Sequence, residues 1–380
     1  MTEPPRELTL DEALRLIATL VNGGDLAQAG DLAEQLVAAA PNHPGVLHAA
    51  AGVAWRRRDA ARAIALQRRL IEVRPGASAD HERQIHFLRD AEDPNAALAA
   101  ADAAVRQCCP NPVLLNALGL LHYNVGSIDD SARTFREAIR LYPDHPTAHR
   151  NLSLALLKQG DPEAAVASFA RSLTPLGALS NLEEKPASSV AAYDATAAGY
   201  DANLLQQSWG AMTAGIVAAL PFDPPALRVL DVCCGTGGVG ASLKLETQQI
   251  VGLDQSASML AEARAKGCYD HLIQDDAVVG MAGLKESFDL ITCSVALYHL
   301  ADLGRFFGEA TRLLVPGGFF VFSVDPSTDD IPVGEAEPGE FAHSRGYLRG
   351  LAADCGLEEV SITIDVHRAY PGFWCVFRRP

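Results

Sequence analysis

The feature that most constrains this chain is a repeat. Its first half matches itself at an offset of 34 residues without gaps, in units that start at Leu10, Pro44, Ser78, Pro112 and Pro146. The clearest unit reads NALGLLHYNVGSIDDSARTFREAIRLYPDHP from Asn116. It places Leu118 and Gly119 on a first helix, Gly126 at a turn, Phe135 and Ala138 on a second helix, and Pro143 past its end. Gly24 and Gly160 fall in the slot of Gly126, Ala29, Ala63, Ala97 and Ala165 share the small position early in the second helix, and Pro41 and Pro75 match Pro143. Small residues let crossing helices approach, and a proline beyond a helix end forbids its continuation. The third unit is the least regular, with its proline displaced to Pro110 and no turn glycine. One helical pair cannot bury its apolar face alone, so the units must stack into a superhelix whose concave face is open for binding.

This pattern resembles tetratricopeptide repeats, five of them across about residues 10 to 177. The resemblance implies an all-α first domain over residues 1–177 that docks a protein, a peptide or a carrier-bound substrate. The competing expectation is an array that only makes a homodimer or braces a second domain. Periodicity stops after Leu173, and TPLGALSNLEEKPASS reads as a linker centred on residues 178–189. Beyond it, VAAYDATAAGYDANLLQQSWGAMTAGIVAAL has helical spacing and opens a second domain over 190–380.

Two domains also suit 380 residues, which exceed what one hydrophobic core usually serves. Charge is uneven. Residues 1–180 carry 18 Lys and Arg against 21 Asp and Glu, whereas residues 181–380 carry 13 against 26. An acidic second half repels nucleic-acid phosphates, so DNA and RNA are unfavoured partners. The eight cysteines show no CxxC and no Cys/His spacing suited to zinc, so reduced thiols and no metal are expected. The start, MTEPPRELTL, lacks a secretory pattern, and no apolar run approaches the ~18 residues of a membrane span, so a cytoplasmic location with no membrane attachment is expected.

The chemistry lies in ALRVLDVCCGTGGVGASLK, a strand, a glycine-rich turn and a helix. Glycines at 235, 237, 238 and 240 let a ligand approach the backbone, and the first helical amides can donate to it. Gly235, Gly237 and Gly240 also spell GxGxxG, which alone fits a dinucleotide dehydrogenase. Asp231, which closes the strand just before the turn, would repel a pyrophosphate but can pair with a cationic amino group. The next strand, QQIVGLDQSASMLAEARAKG, ends at Asp254, placed for ribose hydroxyls of either ligand class. RLLVPGGFFVFSV then carries a helix into Pro316-Gly317-Gly318 and a further strand.

The order VLDxxCGTG, VGLDxSxxML, FDLI, RLLxPGG resembles the class I S-adenosylmethionine-dependent methyltransferases, across nearly all of residues 190 to 380. KGCYDHLIQDDA, FSVD and FAHSRGYLRGL extend it to predicted methyltransferases with N-terminal tetratricopeptide repeats. The resemblance implies an α/β Rossmann-like domain with a mostly parallel seven-stranded sheet, binding S-adenosylmethionine and releasing S-adenosylhomocysteine. It implies that Asp231, Gly235 and Gly237 hold the methionine part and Asp254 the ribose. Gln255 or Met259 would border the adenine, Asp276 and the amide of Ala277 would read its edge, and Asp275 is an alternative to Asp276. Tyr193 and Tyr200 would belong to a lid helix, with Cys293 and Ser294 near the sulfonium. Cys233 departs from the family, which usually has glycine there.

Methyl transfer asks the protein to align the acceptor, exclude water and, for an oxygen or acidic carbon, remove a proton. Candidate bases are His299, His343 and Asp325, with Tyr298 and Tyr347 orienting the acceptor. His299 follows the fourth strand, and the pKa of an imidazole suits the task. The acidic loop DPSTDDIPVGEAEPGE suggests a mobile cover. The sequence supports two further readings, a non-catalytic scaffold with a degenerate cofactor domain and, on the literal GxGxxG, a nicotinamide-dependent oxidoreductase.

Overall fold

The computed structural model describes residues 8–177, 188–202, 204–222, 227–243 and 247–380, so most of the expected linker lies outside the described residues. The chain divides into two compact units, Met1–Asn151 and Leu152–Pro380.

Paired helices run α1 (Leu10–Asn22), α2 (Leu26–Ala39), α3 (Pro44–Arg56), α4 (Ala60–Val73), α5 (Ser78–Asp90), α6 (Pro94–Gln107), α7 (Pro112–Asn124), α8 (Ile128–Leu141), α9 (Pro146–Lys158) and α10 (Pro162–Ala170). One device builds each pair. The turn residue 14 positions after the first helix begins is left-handed at Gly24, Arg58, Glu92, Gly126 and Gly160, with φ between 57° and 84°. The aspartate that follows at 25, 59, 93 and 161 then caps the second helix, accepting from the amides of Gln28, Arg62, Ala96 and Ala164. Such a cap stabilises by about 1 kcal/mol. In the second and third repeats the turn is made by Arg58 and Glu92, which explains why no glycine marks it. Ala29, Ala63, Ala97 and Ala165 are fully buried, and a Cβ on Gly119 would come within 2.4 Å of the Phe135 ring.

The second unit begins inside the fifth repeat. Its helix α10 buries Val166 in the core of the sheet domain, sets Phe169 5.8 Å from the Tyr370 ring, and pairs Glu163 with Arg345 at 2.9 Å. The strands are β1 (Thr174–Pro175), β2 (Leu227–Val232), β3 (Thr247–Asp254), β4 (His271–Gln274), β5 (Phe288–Cys293), β6 (Leu314–Ser327), β7 (Val333–Glu337), β8 (Glu340–Ser344), β9 (Glu358–His367) and β10 (Tyr370–Arg378). The helices are α11 (Ser188–Tyr200), α12 (Leu204–Ala218), α13 (Gly238–Ser242), α14 (Ala257–Lys266), α15 (Ala277–Gly283), α16 (Gly304–Leu313) and α17 (Arg345–Cys355).

Seven strands lie in the order β4-β3-β2-β5-β6-β10-β9, with β10 antiparallel to both of its neighbours and the others parallel. Strands such as VLDV and FFVFSV are apolar but for Asp231 and Ser323, because apolar clusters lie on both faces of the sheet. The chain steps outward from β2 through β3 to β4 and then restarts at β5 on the other side, so a switch point opens at the ends of β2 and β5. The last residues of β6 run on to pair with β8, and β7 and β1 complete that smaller sheet. The acidic loop expected as a mobile cover is therefore the β7–β8 hairpin. Val333 and Ala342 are buried, and the Ser327 hydroxyl donates to the Ile331 carbonyl at 2.6 Å. No helix among the described residues is long and apolar enough to cross a membrane.

Candidate active site

Strand β2 delivers Asp231 to the switch point with 1 % of its surface exposed. Its two carboxylate oxygens accept from the Tyr269 hydroxyl at 2.6 Å and the Thr292 hydroxyl at 2.7 Å. Burial outweighs these bonds and raises its carboxyl to about 6. Among the described residues this buried carboxylate is held by two hydroxyls and by no cation. The turn beyond it is left-handed at Cys233 (φ 55°), Gly235 (φ 53°) and Gly237 (φ 85°). Cys233 thus takes a conformation that favours glycine, at a cost on the order of 1 kcal/mol.

Tyr269 explains the other glycines. A Cβ at Gly237, Gly240 or Gly252 would meet its ring at 2.8, 2.6 or 2.9 Å, and its hydroxyl also accepts from the Gly240 amide at 3.2 Å. The third glycine of the literal GxGxxG therefore makes room for a tyrosine. Gly210 on α12 makes a similar approach, since a Cβ there would lie 2.3 Å from the Gly238 carbonyl oxygen.

At the end of β3, Asp254 accepts from the Gly235 amide and the Ser256 amide, each at 2.9 Å, and burial raises its carboxyl. Asp276 caps α15, taking the amides of Val278 and Val279 on one oxygen and the Gln255 side-chain amide at 2.7 Å on the other. Ala277 heads that helix, Asp275 is exposed, and Met259 is 2 % exposed within the core. Cys293 closes β5, fully buried, with a thiol pushed well up by burial and by the adjoining Cys233 thiol. The Ser294 hydroxyl lies 2.8 Å from that of Thr213.

Helix α11 bridges these elements. Asp194 accepts from the Ser256 hydroxyl at 2.6 Å and the Ser258 amide at 3.2 Å. Just past the helix, Asp201 accepts from the Thr236 hydroxyl at 2.7 Å and pairs with Lys266 at 2.6 Å. At the opposite edge the Tyr193 hydroxyl is 2.8 Å from that of Tyr298 and 2.9 Å from His299 Nε2. The Tyr200 ring lies 6.5 Å from that of Tyr193, with its phenol pushed up to about 12 by burial.

Among the sequence-derived candidates, the structure brings Tyr193, Tyr298 and His299 together. The remaining three bond none of these side chains directly, and Asp325 reaches Tyr298 only through Arg368. His343 is fully buried, bonds the Ala301 carbonyl through Nε2 at 3.2 Å, and is lowered to about 4 by desolvation. The Tyr347 hydroxyl donates to Asp302 at 3.1 Å and accepts the Leu303 amide at 2.9 Å. Asp325 pairs with His367 Nδ1 at 2.7 Å and with Arg368 at 3.3 Å. Sequence reasoning missed Tyr269, Thr292, Asp194 and Arg368. Only Tyr269 carried a signal, as an aromatic residue following the helix that starts at the second acidic motif.

Residues 230–322 match the model of a methyltransferase domain, and residues 116–180 match that of a tetratricopeptide repeat. A malonyl-[acyl-carrier protein] O-methyltransferase of Enterobacter lignolyticus is 34% identical over 117 residues, 31% of this chain and 45% of the relative. A ubiquinone biosynthesis O-methyltransferase of Bradyrhizobium sp. is 32% identical over 99 residues, 26% of this chain and 39% of the relative. The chain thus spans less than half the length of these curated relatives. Among solved structures, magnesium protoporphyrin IX methyltransferase of Synechocystis with bound S-adenosylmethionine aligns at TM-score 0.40 and 18% identity, covering 52% of this chain and all of that one. MamA of Desulfovibrio magneticus aligns at TM-score 0.36 and 17% identity, covering 43% and 95%.

Proposed function

From a chain that carries a class I methyltransferase domain behind tetratricopeptide repeats, we propose that it transfers a methyl group from S-adenosylmethionine to an oxygen acceptor, with the repeats recruiting that acceptor or a protein that carries it. Both curated relatives quoted above are named as O-methyltransferases. The observation that carries the proposal is the combination of a buried Asp231, held by two hydroxyls, with the hydrogen-bonded group of Tyr298, Tyr193 and His299.

The residues fit the group. Asp231 would take the ammonium of the methionine part, Gly235 and Gly237 would leave room for its approach, and Asp254 would take the ribose hydroxyls. Gln255 or Met259, with Asp276 and the Ala277 amide, would border the adenine. When bound, S-adenosylmethionine supplies a methyl on a sulfonium, a leaving group that needs no further activation. The chain's own part is proton handling and exclusion of water. With His299 Nε2 unprotonated, the Tyr193 O–H can donate to it while its oxygen accepts from Tyr298. Because burial raises the Tyr193 phenol, it stays protonated at neutral pH. It passes a proton on without becoming a resting phenolate: its oxygen takes the acceptor's proton as its own proton moves to Nε2. Helix α11 carries Tyr193, so the relay is complete only when this helix lies over the cleft, which also keeps water out.

The test incubates the full chain with labelled methyl donor and fractionated cell extracts. Label should enter a small-molecule or carrier fraction, and His299→Ala should slow entry by about 10²–10⁴-fold while S-adenosylhomocysteine still binds. Binding of S-adenosylhomocysteine with no label in any fraction would favour the scaffold reading instead.

A further inference from the structure

A cation adjoins this relay, Arg368, in the two-residue turn Arg368-Ala369 that joins β9 to β10. Both residues are left-handed, with φ 51° and 74°, in a turn type that favours Asn-Gly. The chain keeps an arginine where the backbone disfavours a side chain. That arginine is held tightly. Its guanidinium carbon lies 3.6 Å from the centre of the Tyr298 ring, one terminal nitrogen donates to Asp325 at 3.3 Å, and the other donates to Glu340. The other oxygen of Asp325 takes His367 Nδ1 at 2.7 Å, so the carboxylate itself is fixed.

We infer that Arg368 is a positioning residue: clamped between Asp325 and Glu340, it holds the Tyr298 ring face so that Tyr298 can latch Tyr193, and with it helix α11, over the cleft. A guanidinium seated on a phenol attracts its π face and opposes displacement of the whole ring. The Tyr298 hydroxyl is thereby kept at 2.8 Å from that of Tyr193. The inference rests on the proposed reaction only in making α11 the cover of the cleft.

Hydrogen exchange of the full chain, with and without S-adenosylhomocysteine, reads the latch directly at the amides of α11. Arg368→Met should speed exchange there by about tenfold while strands β2 and β5 keep their protection. Tyr298→Phe should do the same, and the double variant should be no faster than either single one. Arg368→Lys, which retains the charge but not the flat stack, should fall between wild type and Arg368→Met. Unchanged exchange in α11, multiplying effects in the double variant, or equal loosening of β9 and β10 would each overturn the inference. Absence of S-adenosylhomocysteine binding by the wild type would instead count against the proposed reaction, because the latch is read in the free protein as well.

Discussion

Replacing Asp231 by asparagine should stabilise the free protein and weaken the ligand at the same time. The carboxyl is 1 % exposed and burial raises it from 3.8 to about 6, which corresponds to about 3 kcal/mol against the charged form at neutral pH. Because the folded pKa lies above the unfolded one, the fold binds this proton more tightly. Its contribution is complete below about pH 4 and is lost as pH rises through about 6. Asparagine has the same shape and can bond both the Tyr269 and Thr292 hydroxyls, so it escapes the penalty. In thermal scans of the full chain at pH 7.5 followed by tryptophan fluorescence, the transition of the unit that holds Trp209 and Trp374 should rise by about 2–8 °C. At pH 4.5, where the native carboxyl already carries its proton, the gain should fall to about a third. Under the proposed role of Asp231, S-adenosylhomocysteine should lose its partner for the ammonium, about 2 kcal/mol for a hydrogen bond to a charged group, or roughly thirtyfold in Kd. A variant that melts lower than wild type at both pH values, or that binds S-adenosylhomocysteine within threefold of wild type, would refute this reasoning.

Further outcomes follow from neighbouring contacts. Tyr269→Phe removes the hydroxyl that serves both Asp231 and the Gly240 amide, and should destabilise by about 1–3 kcal/mol in denaturant titrations at pH 7.5. Gly210→Ala sets a methyl against the Gly238 carbonyl at 2.3 Å. It should cost about 1–3 kcal/mol and weaken S-adenosylhomocysteine by displacing the glycine-rich turn, as calorimetry and titration would show. Tyr193→Phe cuts the link to His299 and should slow methyl transfer by about 10²-fold with little change in melting temperature.

The helical repeat was legible because its spacing survives in glycines, alanines and prolines at fixed positions. Two of its five turns were not, since Arg58 and Glu92 adopt the left-handed conformation without the residue that advertises it. The strands leading to Asp231 and Asp254 were legible as apolar runs ending in an acid. What the acids touch was hidden, because Tyr269 and Thr292 reach Asp231 from 38 and 61 positions away. The short β7–β8 hairpin reads as a loop in sequence, since its alternation is brief and its composition acidic. Arg368 was invisible for a related reason. HRAY between two strands looks like a solvated turn, and only the fold brings it under Tyr298.

The most direct test of the whole account is a calorimetric titration of S-adenosylhomocysteine into the full chain and into Asp254→Ala. One site per chain in the wild type, lost or weakened by about tenfold or more in the variant, is the predicted result. No heat of binding in the wild type, or equal affinity in both proteins, would contradict it.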